Sequence, residues 1–108
     1  MKNQNLALLR GRIVSEPKFY EQDGRKTLKF GLETITQEKE GQKLVSKSQI
    51  HNIVVLDDLS RRYLHEGDEV YVEGQIRVRV WKGTDGATKK SIDVVASKIE
   101  LTNQSNGA

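Results

Sequence analysis

Apolar and polar residues alternate along much of this chain, and the alternation constrains the fold more than any other feature. Between residues 70 and 80, one face carries the apolar residues Val70, Val72, Ile76, Val78 and Val80. A period of two is typical of a β-strand, in which successive side chains point to opposite faces. Gly74 interrupts the run, and a glycine inside a strand favours a bulge or a sharp bend.

Four further segments have the composition of strands, and they cover residues 6–14, 27–36, 46–56 and 89–101. Pro17 follows the first segment and ends it, because proline lacks the N–H group that a strand ladder needs. Asp23-Gly24 is typical of a hairpin turn. In the last segment the alternation changes register near Ser97, which predicts a bulge.

Polar stretches separate these strands. Residues 37–43 (QEKEGQK) predict a long, mobile hairpin loop, and residues 82–87 predict a second one. One short helix is expected between the third and fourth strands, with Asp57 or Asp58 capping its start and Gly67 ending it. Three strands, a short helix and two strands are typical of an all-β, five-stranded OB-fold barrel, which presents a sheet face to oligonucleotides or oligosaccharides. We expect residues 1–102 to form this domain and residues 103–108 to be a short polar tail.

The composition excludes several classes of protein. The 108 residues are 31% charged and include no cysteine, which removes disulfides, thiolate nucleophiles and cysteine–zinc sites. No apolar run approaches the roughly 20 residues of a membrane-spanning helix. The first residues, MKNQN, contain no apolar segment, so we predict no signal peptide and expect a cytoplasmic, nucleoid or organelle-matrix location.

The charge is unevenly distributed along the chain. The formal net charge is +3, yet residues 51–70 contain five acidic and two basic residues, and the rest of the chain is correspondingly basic. A segregated basic surface is what a polyanionic partner requires. Chance asymmetry on an ordinary solvated surface would give the same numbers, so charge alone leaves the partner open.

Arg77, Arg79 and Trp81 occupy alternate positions of one strand and therefore share a face. A guanidinium pairs with phosphate and an indole stacks on a base, so this pattern predicts binding of single-stranded nucleic acid. The alternative is a structural tryptophan at the end of the barrel. Further basic residues that we expect to contact DNA are Arg10, Arg12, Lys43 and Lys47. The alternative to DNA contact is that these four residues are solvated surface residues that bind no partner.

The sequence contains no arrangement that predicts catalysis. His51 and His65 have no neighbours in the sequence that would complete a triad or a metal site. Asp57-Asp58 is explained by helix capping, and no glycine-rich phosphate-binding loop is present. We therefore predict a protein that is not an enzyme and that needs no metal or cofactor.

Three stretches resemble the bacterial and mitochondrial single-stranded-DNA-binding proteins: GRIVSEP at 11–17, HNIVV at 51–55 and YLHEGDEVYVEGQIRVRVW at 63–81. The similarity runs from about Asn5 to Leu101. It implies an OB-fold that assembles, usually as a homotetramer with a dimer as the alternative. It also implies wrapping of single-stranded DNA with little sequence preference, in replication, recombination and repair. By position, Trp81 is expected to stack on bases and Arg77 and Arg79 to contact the backbone. His51 is expected near the subunit interface.

The chain also departs from that family. Positions where family members carry further stacking aromatics hold Glu38, Ile50 and Leu56. Two such losses, at about 1–3 kcal/mol each, would weaken binding by orders of magnitude unless another ring compensates. The candidates for that role are Phe19, Tyr20 and Tyr71.

The family's long tail, whose acidic and hydrophobic tip recruits repair proteins, does not follow here, since the sequence stops at residues 104–108 (QSNGA). Either the sequence is shortened or the protein is a short paralogue that does not recruit partners in this way. Two other functions stay open beside general DNA binding. One is a primosomal OB-fold relative acting in replication restart, and the other is an oligomeric OB adaptor that has lost DNA binding.

Overall fold

The computed structural model describes residues 3–22, 24–56 and 64–103, and alternating apolar residues build the barrel part of five of its six β-strands. The strands are β1 (Ala7–Ile13), β2 (Lys18–Gln22), β3 (Arg25–Glu40), β4 (Lys43–Leu56), β5 (Glu69–Lys82) and β6 (Thr88–Asn103). The described residues contain no helix. Most of the expected short helix falls on residues 57–63, outside the described part of the chain.

Five of the strands close into a barrel in the order β1-β5-β6-β4-β3. β1 closes the ring because it pairs with β5 along most of its length and with β3 at Arg12 and Ile13. β4 and β6 pair in parallel, from Asn52 beside Asp93 to Val55 beside Ala96. The predicted five-stranded barrel is thereby confirmed. β2 is an additional strand, which pairs with β3 as a hairpin in which Gln22 lies opposite Arg25. The turn expected at Asp23-Gly24 includes residue 23, which lies outside the described residues.

The core of the barrel consists of the inward-facing side chains of these strands. The least exposed apolar residues, each at most 1% exposed, are Ile13, Leu28, Leu32, Ile53, Val55, Val70, Val72 and Ile99. They occupy alternate positions within their strands, which is why the period of two predicted their segments correctly. The outward-facing residues between them form the surface that carries the candidate site.

The expected interruptions at Gly74 and Ser97 form one bulge. Glu73 pairs with Lys98 whereas Gly74 pairs with Ala96, so Ser97 is an extra residue in β6. Glycine is required opposite this bulge, since a Cβ atom at Gly74 would lie 2.3 Å from the carbonyl oxygen of Val95. Beyond the bulge β5 no longer pairs with β1, and on the N-terminal side of Asp93 β6 does not pair with β4, so the two strands continue as the β5–β6 arm. Arg77 lies at the base of this arm, and Arg79 and Trp81 lie on it.

The predicted long loop over residues 37–43 was wrong. β3 and β4 stay paired as far as Glu40 and Lys43, and the turn consists of Gly41 and Gln42, with Gly41 at φ 63°. This arm extends past the barrel, where both faces are exposed, so its strands need no apolar alternation. The other predicted hairpin loop is confirmed over residues 83–87, while Lys82 belongs to β5.

Candidate nucleic-acid interface

A row of outward-facing residues crosses four strands of the barrel. Arg77 of β5 pairs with Asp93 of β6, Asp93 lies beside Asn52 of β4, and Asn52 pairs with Gly31 of β3. The row runs along a groove of about 560 Å³ whose lining includes Tyr20, Lys29, Asn52, Arg79 and Asp93. We call this the outer groove.

Asp93 holds the two arginines of β5 in place. Its side chain is 1% exposed and accepts hydrogen bonds at Oδ2 from Arg79 Nε at 2.6 Å and from Arg77 Nη2 at 3.2 Å. Burial by itself raises the pKa of Asp93, but the hydrogen bonds and charges of Arg79 and Arg77 outweigh it and lower that pKa below its ordinary value. The carboxylate therefore remains ionised at neutral pH and orients both guanidinium groups.

Arg79 also contacts Trp81, two residues further along the same face. The guanidinium carbon of Arg79 lies 5.5 Å from the centroid of the indole, within the range of a cation–π interaction. The Trp81 side chain is 46% exposed, so it is not part of the core. The predicted placement of Arg77, Arg79 and Trp81 on one face is correct, and the structure joins them through Asp93.

Tyr20 and Lys29 form a second cation–aromatic pair on the β2–β3 side of the outer groove. Lys29 Nζ lies 5.1 Å from the centroid of the Tyr20 ring, and Tyr20 is 49% exposed. From the sequence, Tyr20 was only one of three candidate rings for base stacking, and Asp93 was not identified as a site residue. The sequence pair Asp23-Gly24 was the available signal for Tyr20, because a hairpin centred on it pairs Tyr20 with Thr27, near Lys29.

Arg10 and Arg12 lie on a different part of the surface. Both are exposed, and they pair across β1 and β5 with Tyr71 and Glu69. Tyr71 precedes Arg77 by six positions, which corresponds to roughly 20 Å along a strand. The structure therefore does not bring Arg10 and Arg12 beside Arg77 and Arg79.

Lys43 and Lys47 lie on the arm formed by β3 and β4. Alternation places them on the side of β4 opposite Ile50 and Asn52, away from the outer groove. Lys47 Nζ lies 3.1 Å from Glu40 Oε1, a pair in which both side chains are about half exposed. The structure thus separates these two lysines from Trp81.

His51 lies outside the outer groove. Its Nε2 atom lies 2.8 Å from Thr34 Oγ1 in a hydrogen bond. It lines a separate depression together with Leu8 and Ile35, which are 54% and 64% exposed. This depression combines a polar pair with exposed apolar side chains.

The positions without stacking aromatics are accessible. Ile50 is 65% exposed and lines the outer groove, and Leu56 is 44% exposed. Both offer apolar surface but no ring. Within residues 3–22, 24–56 and 64–103, no three His, Asp or Glu side chains gather as a metal site. The described part of the chain also contains no helix with the length and apolar character needed to cross a membrane.

A closed five-stranded barrel with a basic and aromatic groove on its outer face defines an OB-fold binding protein. The chain belongs to the single-strand binding protein family, whose model matches residues 4–102. The resemblance noted from the sequence is therefore confirmed.

Curated relatives include the single-stranded DNA-binding proteins of Neisseria meningitidis, 30% identical over 103 residues, and of Xanthomonas campestris, 29% identical over 102 residues. Each match covers 90% of this chain and 59% of the relative. A Plasmodium falciparum SSB in complex with ssDNA is 32% identical with a TM-score of 0.81, and the match covers 94% of this chain and 95% of that one. A small single-stranded DNA-binding protein from Streptomyces coelicolor, 19% identical, shares the fold with a TM-score of 0.71 over 93% of this chain and 95% of its own.

Proposed function

We propose that this chain binds single-stranded DNA with little sequence preference through the outer groove, in DNA replication, recombination or repair. The observation that carries the proposal is the arrangement in which buried Asp93 fixes Arg79 over the exposed ring of Trp81. A guanidinium binds any phosphate and an indole stacks on any base, so this arrangement reads no sequence. Membership of the single-strand binding protein family supports the proposal, as does likeness to a Plasmodium protein whose structure is a complex with ssDNA.

Four basic residues outside the groove have a separate role in this proposal: Arg10, Arg12, Lys43 and Lys47. They would contact phosphates of a longer DNA strand where that strand leaves the outer groove. Arg10 and Arg12 lie on β1, and Lys43 and Lys47 lie on the part of β4 that does not pair with β6. None of the four lines the outer groove. Electrostatic contacts of this kind depend on the length of the bound strand.

We also propose that the chain self-associates, as a homotetramer with a dimer as the alternative, and that His51 lies at a subunit interface. The exposed Leu8 and Ile35 around His51 support this, because apolar surface of this kind is buried in assemblies. Light scattering tests it, since four chains of 12.2 kDa would give about 49 kDa and two about 24 kDa. A monomer at micromolar concentration would contradict it. The proposed place of action is the nucleoid or an organelle matrix.

A fluorescence titration with poly(dT) tests DNA binding directly. Trp81 is the one tryptophan of the sequence, so quenching of its emission reports stacking at that position. The logarithm of the binding constant should fall with the logarithm of the salt concentration, with a slope of about −0.7 for each phosphate contacted. Absence of quenching and of binding at low salt would contradict the proposal and favour an oligomeric OB module without DNA binding.

A further inference from the structure

We propose that Tyr20 is a second base-stacking residue besides Trp81, on the side of the outer groove opposite Arg79, and that Lys29 holds its ring in position. The proposal rests on the proposed function, because its ligand is a base of the same single strand. The position of Tyr20 on the surface follows from the pairing of β2 with β3, which was not predicted from the sequence.

The ring of Tyr20 has the exposure and the orientation that stacking requires. It lines the outer groove and is 49% exposed. The ammonium group of Lys29, 5.1 Å from the ring centroid, covers one face. An aromatic ring has two faces, and stacking on a base needs only one of them, so the Lys29 contact restricts the ring without occupying it fully.

Tyr20 and Arg79 lie on opposite sides of the outer groove. A single strand of DNA that crosses the groove would therefore contact both residues. The sheet order places four strand spacings between β2 and β5. At about 4.8 Å each, these spacings amount to roughly 19 Å. OB-folds bind about 4–16 nucleotides per site, a length that can span this distance.

The two other candidate rings do not share this placement. Phe19 precedes Tyr20 on the same strand and pairs with Leu28, whose side chain is in the core, so alternation turns Phe19 to the other side of the hairpin. Tyr71 lies beside Arg10 on β1 and donates a hydrogen bond from its hydroxyl group to Glu73 Oε1 at 2.9 Å. Neither Phe19 nor Tyr71 lines the outer groove.

Affinity for a fluorescein-labelled dT oligomer of about 16 nucleotides, a length within the range of one OB-fold site, tests the proposal by anisotropy. Tyr20→Ala should weaken binding roughly 5- to 140-fold, the range that the loss of one stacked base corresponds to. Tyr20→Phe keeps the ring and should stay within about two-fold of the wild type. Phe19→Ala removes a ring from the same strand and should also stay within about two-fold, which makes it the matched control.

A second measurement locates the contact. A dT oligomer carrying 5-iodouracil should crosslink to Tyr20 under ultraviolet light, and mass spectrometry of the tryptic peptides identifies the modified residue. Thermal unfolding of each variant should coincide with that of the wild type, because the Tyr20 side chain is half exposed.

The outcomes separate this proposal from the proposed function. If the wild type does not bind the oligomer, the proposed function fails and this proposal fails with it. If the wild type binds and Trp81→Ala weakens binding but Tyr20→Ala does not, only this proposal is overturned. Equal losses for Phe19→Ala and Tyr20→Ala would also overturn it, since they would place the cause in the hairpin rather than in the ring.

Discussion

Asp93 Oδ2 accepts a 2.6 Å hydrogen bond from Nε of Arg79, and this contact couples a buried carboxylate to the exposed end of the outer groove. Arg79 in turn lies over Trp81. The charge that would bind a phosphate and the ring that would stack on a base are therefore oriented by one residue of a neighbouring strand. Such orientation before binding lowers the entropy lost when the ligand binds.

Replacing Trp81 by alanine should weaken single-stranded DNA binding by about 1–3 kcal/mol, because one stacked base is lost. The variant contains no tryptophan, so its affinity is measured by anisotropy of a labelled dT oligomer. Val80→Ala is the matched control, since Val80 is the neighbouring exposed residue on the opposite face of β5. Unchanged affinity of Trp81→Ala would show that the indole does not contact the strand.

Asp93→Asn should destabilise the protein, because Arg77 and Arg79 lose their ionised partner while the side-chain volume is kept. The free energy of unfolding should fall by about 1.5–3 kcal/mol, the range for hydrogen bonds to charged groups. Urea unfolding measures it. Glu100→Gln removes a carboxylate from an exposed pair with Lys98 and should have a much smaller effect, because solvent screens surface pairs. Equal effects would contradict a special role for Asp93.

The stabilisation by Asp93 should depend on pH in one direction. Its pKa in the folded protein is lower than the ordinary value of 3.8, so folding favours the ionised form. The contribution is therefore complete above pH 3.8 and is lost as the pH falls below that value through the folded-state pKa. Urea midpoints of the wild type and of Asp93→Asn should differ at about pH 7, and the difference should shrink as the pH falls below 3.8. A difference that does not shrink at acidic pH would contradict this account.

Gly74→Ala should strain the bulge from which the β5–β6 arm extends. The new Cβ atom would meet the Val95 carbonyl oxygen at 2.3 Å, and such overpacking costs about 1–3 kcal/mol or more. Gly31→Ala is the control, since its nearest neighbours are side-chain atoms at 3.3–3.4 Å. Thermal unfolding should show a large loss for the first variant and a small one for the second. Equal stability of the two variants would show that the contact with the Val95 carbonyl oxygen is not the reason for glycine at position 74.

Charge removal on the β3–β4 arm should affect long strands more than short ones. The double variant Lys43→Gln, Lys47→Gln should bind a dT oligomer of about 6 nucleotides, which fits within one OB-fold site, like the wild type. Its salt slope for poly(dT) should be shallower by about 0.7 for each lost phosphate contact. Isothermal titration calorimetry at several salt concentrations measures both. An unchanged slope for poly(dT) would show that the two lysines do not contact the strand.

The strand that carries the candidate site could be predicted from the sequence because its signal is local. The period of two alone determines that Arg77, Arg79 and Trp81 share a face, whatever the rest of the chain does. The bulge at Gly74 was predictable for the same reason, since a glycine inside an otherwise regular strand is a local departure.

The partners of that strand could not be predicted, because they depend on register between distant segments. Asp93 is an acidic residue between Ile92 and Val94, and only the pairing of β5 with β6 places it opposite Arg77. β2 was missed because two adjacent rings, Phe19 and Tyr20, show no apolar alternation when both faces of a hairpin are exposed.

The parallel pairing of β4 with β6 also has a consequence for folding kinetics. The antiparallel hairpins β3–β4 and β5–β6 can form from neighbouring segments, but Asn52 meets Asp93 only after the whole of β5 has been placed. Pairing of segments so far apart in sequence requires an entropically costly loop closure, which slows folding. During synthesis, β6 must leave the ribosome before the outer groove is complete, so a nascent chain acquires this surface only after its first five strands have emerged.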